Sequence, residues 1–414
     1  MLQENIKSRA KEIYREVIDH IENKNICCFS DREKPLFLIS ETYPGVWMEH
    51  IYDSVFYARL DHSKSELPKT TLLAFIELQR EDGHLPFGVF DPARHSGSSS
   101  GYSQIQECVS FATLCLETYE ICGDRDFLLT AYESSKKWVA WLENNRMTRG
   151  GGLVEMFVGF DTGHDHSARL DGMSCPGNYR LPGKPFAEDA SVLPPNDDVA
   201  PIFAVDMNCN LYGNLKSIAK MAVLLESGEA EEYERKAAEV KRRLIEVCYD
   251  EQDAFFYDVD KHGNKRKYLS STIFHLFLEK VLNFEEDGEM IERIYREHIK
   301  NPREFWTEYP FPSMAVSDPS LKRGAKGNCW GYFSQGLIAL RCTRWMDAYG
   351  WREDFDHLCE RWVEAWTRCY DRFKFGQELD PFTGEPSECS EWYSSCMLFY
   401  IYAARRLGLY NMPD

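Results

Sequence analysis

Two loop segments of the sequence each carry a carboxylate in a setting suited to acid–base chemistry. The first, called here the Asp165 loop, covers residues 159–170 and reads Gly-Phe-Asp-Thr-Gly-His-Asp-His-Ser-Ala-Arg-Leu. The second, the Glu378 segment, covers residues 375–385 and reads Phe-Gly-Gln-Glu-Leu-Asp-Pro-Phe-Thr-Gly-Glu. Cleavage of a glycosidic bond needs such a pair, because one carboxylic acid protonates the leaving oxygen while the other carboxylate activates water or attacks carbon. The pair alone is not specific, since the chain has 67 acidic residues.

Other acidic and histidine side chains near these segments offer competing interpretations. Three further glutamates follow Glu378 closely and are rival bases: Glu385, Glu388 and Glu391. In the Asp165 loop, a cluster of candidate metal ligands consists of Asp161, His164, Asp165 and His166. Adjacent residues of an extended loop point to opposite sides and rarely converge on one ion. We therefore expect no metal and no cofactor.

Both segments resemble motifs of glycoside hydrolase families 63 and 37, the group of processing α-glucosidase, trehalase and mannosylglycerate hydrolase. Residues 162–169 are similar to the acid motif S-G-x-D-x-x-x-R, with Thr162 in the place of Ser. Residues 378–384 are similar to E-x-x-P-x-T-G, which carries the base of those enzymes. Further short segments resemble motifs of these families and occur in the same order as in the families, between about residues 40 and 405. They are Trp47 with Tyr52-Asp53-Ser-Val-Phe, Tyr102-Ser-Gln104, Val205-Asp-Met-Asn208 with Tyr212, Phe255-Phe-Tyr-Asp258, Asn328-Cys-Trp330-Gly and Ser390-Glu-Trp392-Tyr-Ser.

The resemblance implies single-step inversion with Asp165 as general acid and Glu378 as general base. That mechanism requires carboxyl groups about 6.5–9.5 Å apart and an acid that is protonated at rest. Arg169 would oppose this protonation if it touched Asp165, so we expect it to point at the sugar or at another acid. The residues expected to bind substrate are Trp47, Tyr52, Asp53, Gln104, Arg169, Asn208, Trp330 and Trp392.

The sequence departs from the family pattern at several places. Leu379 replaces the usual Tyr after the base, and Tyr52 replaces Trp before Asp53. Residues 324–326 are Gly-Ala-Lys where an aromatic pair and an Arg are usual. These changes concern the leaving-group side and the identity of the sugar rather than the acid and the base. We expect a small α-linked glucoside or mannoside as substrate.

Apolar residues recur at helical spacing in many stretches, and these must position the two loop segments. The predicted helices cover residues 3–24, 49–62, 65–81, 102–122, 125–146, 207–227, 230–249, 269–279, 284–299, 329–349, 352–371 and 389–408. Twelve helices in six hairpins predict an all-α (α/α)6 toroid forming one domain over residues 1–414. Its long connections, 82–101, 147–206, 300–328 and 372–388, would build the active site on one face. Asp206 stands where the N-cap of the helix at 207–227 is expected.

Composition limits the partners of the chain. Its formal net charge of −19 disfavours binding to nucleic acid or anionic membrane surfaces. We see no secretory signal and no apolar run long enough for a membrane span, and the 14 scattered cysteines are typical of reduced thiols. The sequence therefore predicts a cytoplasmic protein with a small saccharide or glycoside as its partner, and is compatible with a homo-oligomer.

Two alternatives to a hydrolase remain at this point. A sugar epimerase or isomerase of the N-acylglucosamine 2-epimerase type has a similar length and fold but uses paired histidines as bases, for which His275 and His357 are the candidates. A non-catalytic helical scaffold is the other alternative. The long glycine-rich loops and the aromatic residues at loop–helix junctions favour an enzyme over a scaffold.

Overall fold

The computed structural model describes residues 2–95, 97–174, 189–195, 197–327 and 329–410. In these ranges the chain forms twelve α-helices: α1 Glu4–His20, α2 Ile51–Leu60, α3 Glu66–Glu77, α4 Phe111–Cys122, α5 Arg125–Asn145, α6 Val205–Leu225, α7 Ala230–Cys248, α8 His275–Leu278, α9 Phe284–Ile294, α10 Gly336–Cys342, α11 Arg352–Cys369 and α12 Ser394–Arg406. The predicted number of helices is confirmed for the described chain.

The even-numbered helices form an inner ring and the odd-numbered helices lie outside it. Contacts link α2 to α4, α4 to α6, α6 to α8, α10 to α12, and α12 back to α2. Between α8 and α10 the ring is completed by Trp345, whose ring lies against Phe274 and Phe277. The toroid predicted from the six hairpins is therefore confirmed.

The burial pattern of each helix follows from its place in the ring. Outer helix α7 buries one stripe, formed by Tyr233, Ala237, Val240, Leu244 and Cys248, and exposes charged residues elsewhere. Inner helices bury a larger share of their residues, and α10 is buried along its whole length. One apolar cluster of buried side chains runs from Leu2 to Leu409 through these helices.

Short connections join each inner helix to the next outer helix. Helix α4 ends at Gly123, whose φ of +67° is a left-handed cap that glycine adopts without strain. Asp124 then caps α5, since its side chain accepts hydrogen bonds from the backbone N–H groups of Asp126 and Phe127. The long connections, by contrast, all precede inner helices, and so they gather at the N-terminal end of the ring.

The long connections carry short strands that the periodicity analysis did not predict. They are β1 Ile26–Cys27, β2 Leu36–Phe37, β3 Gly45–Trp47, β4 Gly88–Phe90, β5 Ser100–Gly101, β6 Glu155–Met156, β7 Ile202–Phe203, β8 Tyr249–Asp250, β9 Phe255–Phe256, β10 Asp258–Val259, β11 Lys265–Arg266, β12 Ser334–Gln335 and β13 Glu378–Leu379. The strands form antiparallel pairs and small sheets, including β3–β4–β5 and β12–β13. Strand pairing satisfies the backbone groups of loops that are partly buried.

Two predicted helices are too long because their first residues belong to these loops. The helix predicted at 102–122 begins only at Phe111, since Gln106 has a φ of +59° and the buried Glu107 carboxylate accepts the Phe111 N–H at 2.7 Å. The helix predicted at 329–349 is α10 alone, because Ser334 and Gln335 pair with the Glu378 segment. Asn328, the first residue of the motif-like segment that contains Trp330, lies outside the described residues.

Candidate active site

A cavity of about 160 Å³ opens at the N-terminal end of the inner ring, where the long connections meet. We call it the loop-face cavity, and it is lined by Ile39, Tyr43, Trp47, Glu49, His50, Gln106, Asp165, Gln377 and Tyr393. Its lining comes from four long connections and from the residues that directly precede α2 and α12. Of the ten site residues predicted from the sequence, Asp165 and Trp47 are in this lining.

Asp165 is half-buried and contributes to the wall of the cavity. Its backbone oxygen accepts the Trp330 N–H at 2.9 Å, which ties the Asp165 loop to the connection before β12. Trp47 closes another part of the wall, where its ring meets those of Tyr43 and Phe90 edge-on. The cavity thus combines one carboxyl group with an aromatic surface of the kind on which a sugar ring packs.

Glu378 follows the lining residue Gln377 in the chain. It belongs to β13, which pairs with β12, and its side chain is fully buried. Its Oε2 accepts the Cys329 N–H at 3.1 Å and a hydrogen bond from Gln335, while its Oε1 has no hydrogen-bond partner among the described residues. Burial raises the pKa of Glu378.

The three rival glutamates occupy different surroundings. Glu385 is ion-paired with Arg368 and Arg372, and Glu388 is exposed. Glu391 is also exposed, and its carboxylate accepts the Lys374 N–H at 3.1 Å. Of the four glutamates, only Glu378 is buried beside the cavity.

Sequence analysis missed a second carboxyl group in the lining, that of Glu49. Its side chain is 9% exposed, and Gln106 donates a hydrogen bond to its Oε1 at 3.1 Å. Burial raises the pKa of Glu49 to about 8, with Arg341 opposing the shift and Asp165 adding to it. Glu49 is therefore neutral near pH 7 and stands close enough to Asp165 for their charges to interact.

The backbone of the Asp165 loop passes directly over Glu49. A Cβ atom at Gly163 would stand 2.4 Å from Oε2 of Glu49, and Gly163 has a φ of +70°. Only glycine meets both conditions without strain. The glycine of the acid-like motif is thus explained by the close approach of the two segments. Glu49 follows the expected substrate-binding residue Trp47 by two positions, and this spacing could have indicated that Glu49 also lines the cavity.

Several residues expected to bind substrate instead hold the helices together. Tyr52 is buried and shares a hydrogen bond with Thr343 at 2.9 Å. Asp53 is 1% exposed and accepts hydrogen bonds from Ser394 and Ser395 of α12. The structure therefore corrects both assignments: neither side chain is among those that line the cavity.

Three further expected residues also lie behind the cavity rather than in its lining. Asn208 is buried, and its amide bonds the backbone of Val154 and Ala204. Trp330 is 1% exposed and stacks on His164, with ring centroids 4.3 Å apart. Trp392 stacks on His20, although its neighbour Tyr393 does line the cavity. Each residue fixes a loop–helix junction.

Gln104 and Arg169 are not in the cavity lining, and their side chains contact other polar side chains. Gln104 donates to Gln106 at 2.7 Å, and Gln106 in turn donates to Glu49. The Arg169 guanidinium contacts both oxygens of Asp206, at 2.9 and 3.1 Å, and Oδ2 of Asp258 at 3.1 Å. Arg169 therefore points at other acids, one of the two expected outcomes. Asp206 is not the N-cap of α6, because α6 begins at Val205 and Ala204 is its cap.

The two histidines of the epimerase alternative are not brought together. His275 is on inner helix α8 near His164, whereas His357 is on outer helix α11 against Trp306.

The four candidate metal ligands of the Asp165 loop point in different directions. Asp161 is ion-paired with Arg146 and His166 is exposed, while His164 faces Asp206.

The fold and a carboxyl-lined cavity at its loop face define a glycoside hydrolase domain on an (α/α)6 toroid. The sequence profile of the mannosylglycerate hydrolase MGH1-like glycoside hydrolase domain matches residues 52–395, and the chain belongs to this family.

Solved structures with the same fold include GH63 mannosylglycerate hydrolase from Thermus thermophilus in complex with glucose. It has a TM-score of 0.69 at 17% identity over 94% of this chain and 99% of that one. Neutral trehalase Nth1 from Saccharomyces cerevisiae has a TM-score of 0.63 at 14% identity, over 95% of this chain and 81% of that one. An uncharacterized protein from Borreliella burgdorferi is 25% identical over 126 residues, which are 30% of this chain and only 26% of that protein.

Within the described residues, no helix is both long and apolar enough to cross a bilayer.

Proposed function

We propose that this protein is an inverting glycoside hydrolase that cleaves a small α-linked glucoside or mannoside, with Asp165 as general acid and Glu378 as general base. The observation that carries the proposal is the arrangement around the loop-face cavity. Asp165 is in its lining, and Glu378 is the buried carboxylate that follows the lining residue Gln377 in the chain. Single-step inversion needs two carboxyl groups on opposite sides of one sugar ring, and these two come from separate loops beside the cavity.

The acid step belongs to Asp165, which would donate its proton to the leaving oxygen. Such a group must hold its proton until the bond breaks. Neutral Glu49 supports this role, because it adds no negative charge beside Asp165 when that carboxyl ionises in the transition state. Glu49 and its donor Gln106 also offer hydrogen-bonding groups to sugar hydroxyls from the same wall.

The base step belongs to Glu378, which would remove a proton from the attacking water. Its Oε2 is fixed by Cys329 and Gln335, so the contact with the attacking water would fall to the other oxygen, Oε1. Burial raises its pKa and thereby strengthens it as a base. The surface ion pairs of Glu385 and the exposure of Glu388 and Glu391 support Glu378 as the base among the four.

The size of the cavity supports a short substrate. Its volume of about 160 Å³ is below the range of about 300–1,000 Å³ that is typical of ligand pockets. We therefore propose a disaccharide or a glycosylated small acid, with one sugar ring in the cavity. Mannosylglycerate and trehalose, the substrates named in the two related structures, are the first compounds to test.

The test is proton NMR of the first-released sugar during hydrolysis of a panel of small α-glycosides. Inversion predicts that the sugar whose anomeric carbon is attacked appears first as the β-anomer and then mutarotates. Trehalose would give equal amounts of α- and β-glucose, because its leaving glucose keeps the α configuration. Initial release of the attacked sugar as the α-anomer, or of α-glucose alone from trehalose, would contradict the single-displacement mechanism while leaving hydrolysis itself in place. Conversion of a free reducing sugar to its epimer without any hydrolysis would instead favour the epimerase alternative.

A further inference from the structure

Below the loop-face cavity, three buried side chains from separate segments converge near the axis of the barrel. His164 comes from the Asp165 loop, Asp206 from the first turn of α6 and His275 from the start of α8. One ligand atom of each lies within 4.8 Å of the others. All three side chains are at least nine-tenths buried. Two imidazoles and one carboxylate are a donor set that transition metals prefer.

The spacing within the cluster is that of metal ligands rather than of a hydrogen bond. Nδ1 of His164 lies 3.6 Å from Oδ2 of Asp206, which is too long for a hydrogen bond. Tetrahedral Zn²⁺ with bonds of about 2.0–2.1 Å separates neighbouring ligand atoms by about 3.3 Å. This pair would reach that separation with a shift of a few tenths of an ångström, and the other ligand atoms, all within 4.8 Å of one another, would have to approach by up to about 1.5 Å.

The cluster also contains polar atoms that the protein leaves unsatisfied. Nδ1 of His275 is buried and has no hydrogen-bond partner among the described residues. On His164 the unpartnered atom is Nε2, the ring nitrogen other than the Nδ1 that lies near Asp206. A space of about 10 Å³ adjoins both rings, closed by Trp330, Trp345 and Arg341 among others. Buried polar atoms without partners are rare, and a space of this size admits one atom-sized guest.

The donor set suits a transition metal ion. Two nitrogen donors and one oxygen donor favour Zn²⁺ over Ca²⁺ and Mg²⁺, which prefer sites made of oxygen atoms. Arg169 fixes the Asp206 carboxylate as outer-shell groups fix metal ligands elsewhere.

We propose that His164, Asp206 and His275 bind one divalent transition metal ion, with Zn²⁺ as the preferred ion. The ion would join the Asp165 loop to helices α6 and α8 and so fix the position of Asp165, the residue that follows His164. The proposal does not depend on the hydrolytic function, because binding is measured without substrate.

The test is Co²⁺ binding to the full chain after treatment with a chelator, followed by visible ligand-field absorption and by elemental analysis. We expect the wild type to bind one equivalent of Co²⁺ with tetrahedral absorption, which Zn²⁺ then displaces. His275→Gln should lose this equivalent. His84→Gln should retain it, because His84 is also a buried imidazole with unpartnered nitrogens but is stacked on Trp141 rather than placed in the cluster.

Failure of the wild type to bind an equivalent of Co²⁺ or Zn²⁺ would overturn the proposal, and this result needs no variant to fold. Equal binding by wild type and His275→Gln would also overturn it, since the ion would then be held elsewhere, for example by cysteine thiols. If His275→Gln does not fold, His164→Gln replaces it, with the same expected loss. A rise in the thermal midpoint on adding Zn²⁺, present in His84→Gln and absent in the cluster variants, would support the role in joining the segments.

Discussion

Protonation of Glu49 is controlled by its surroundings at the scale of a single residue. The carboxyl group is buried beside Asp165 and stays neutral until about pH 8. Above that pH it ionises and places a negative charge next to the proposed acid, which makes it harder for Asp165 to release its own proton. We therefore expect Glu49 to couple the activity of the cavity to pH, although the proposed acid and base are other residues.

We predict that Glu49→Gln lowers kcat/KM by about 10-fold, through the weaker hydrogen bonding of the cavity. We also predict that wild-type activity falls as pH rises through about 8 and that Glu49→Gln abolishes this decline, because an amide does not ionise. The measurement is kcat/KM as a function of pH for both proteins. Glu391→Gln removes an exposed carboxylate and should retain the wild-type profile. If kcat/KM of Glu49→Gln still declines near pH 8, the decline is caused by the ionisation of another group.

Of the residues proposed from the sequence, Asp165 and Trp47 line the cavity, whereas Asp53 and Asn208 do not. The latter two lie near the starts of inner helices, where a polar side chain either faces the cavity or bonds a neighbouring helix. A sequence pattern does not distinguish these directions, because they differ by the rotation of one helix about its axis.

At the scale of elements, polar contacts between inner helices couple stability to pH. Asp53 of α2 is held by Ser394 and Ser395 of α12, and burial raises its pKa to about 7 despite these hydrogen bonds. Between about pH 4 and pH 7 the folded protein keeps a proton on Asp53 that the unfolded chain releases. The free energy of unfolding therefore decreases as pH rises through this window.

For Asp53→Asn we predict a weaker dependence of stability on pH. Asp53 contributes at most about 1.4 kcal/mol per pH unit between pH 4 and 7, and the substitution removes this contribution. Denaturant unfolding at several pH values measures the difference. Because Asp53 is not in the cavity lining, KM should be unchanged. A raised KM with an unaltered pH dependence of stability would restore Asp53 as a substrate-binding residue.

Helix boundaries were predictable where an amphipathic stripe ended at a capping residue, as at Gly123 and Asp124. They were not predictable on the loop face. There, residues 102–110 and 329–335 are apolar enough to continue the helical pattern but are buried as loop and strand. Burial by long connections gives the same apolar composition as burial by helix packing, so periodicity alone does not separate them.

At the scale of the whole molecule, the ring is closed by its N-terminal helix. Helix α1 packs on α11 and α12, and Tyr14 is 2% exposed, stacks on Tyr410 and accepts a hydrogen bond from Arg405 at 2.7 Å. The prediction of one domain over residues 1–414 remains a prediction. It is supported by the continuous apolar cluster that includes this contact.

We predict that Tyr14→Ala lowers the free energy of unfolding by about 3 kcal/mol, since a large buried ring is lost from the closure. The unfolding transition should stay single, because the hairpins share one core. Denaturant melts followed by circular dichroism and by tryptophan fluorescence measure both quantities. The control is Leu129→Ala, because the Leu129 side chain is 51% exposed. It should lower the free energy of unfolding by less than about 0.5 kcal/mol. Two separate transitions in the wild type would contradict the single domain.

We propose that Asp165 and Glu378 carry out hydrolysis, and substituting each carboxyl group in turn tests this assignment. With the best substrate of the α-glycoside panel, Asp165→Asn and Glu378→Gln should each lower kcat by about 10²–10⁴-fold while the circular dichroism spectrum stays that of the wild type. Glu385→Gln, which removes a neighbouring surface carboxylate, should retain wild-type kcat. Hydrolysis within a few-fold of wild type in either of the first two variants would contradict the assignment.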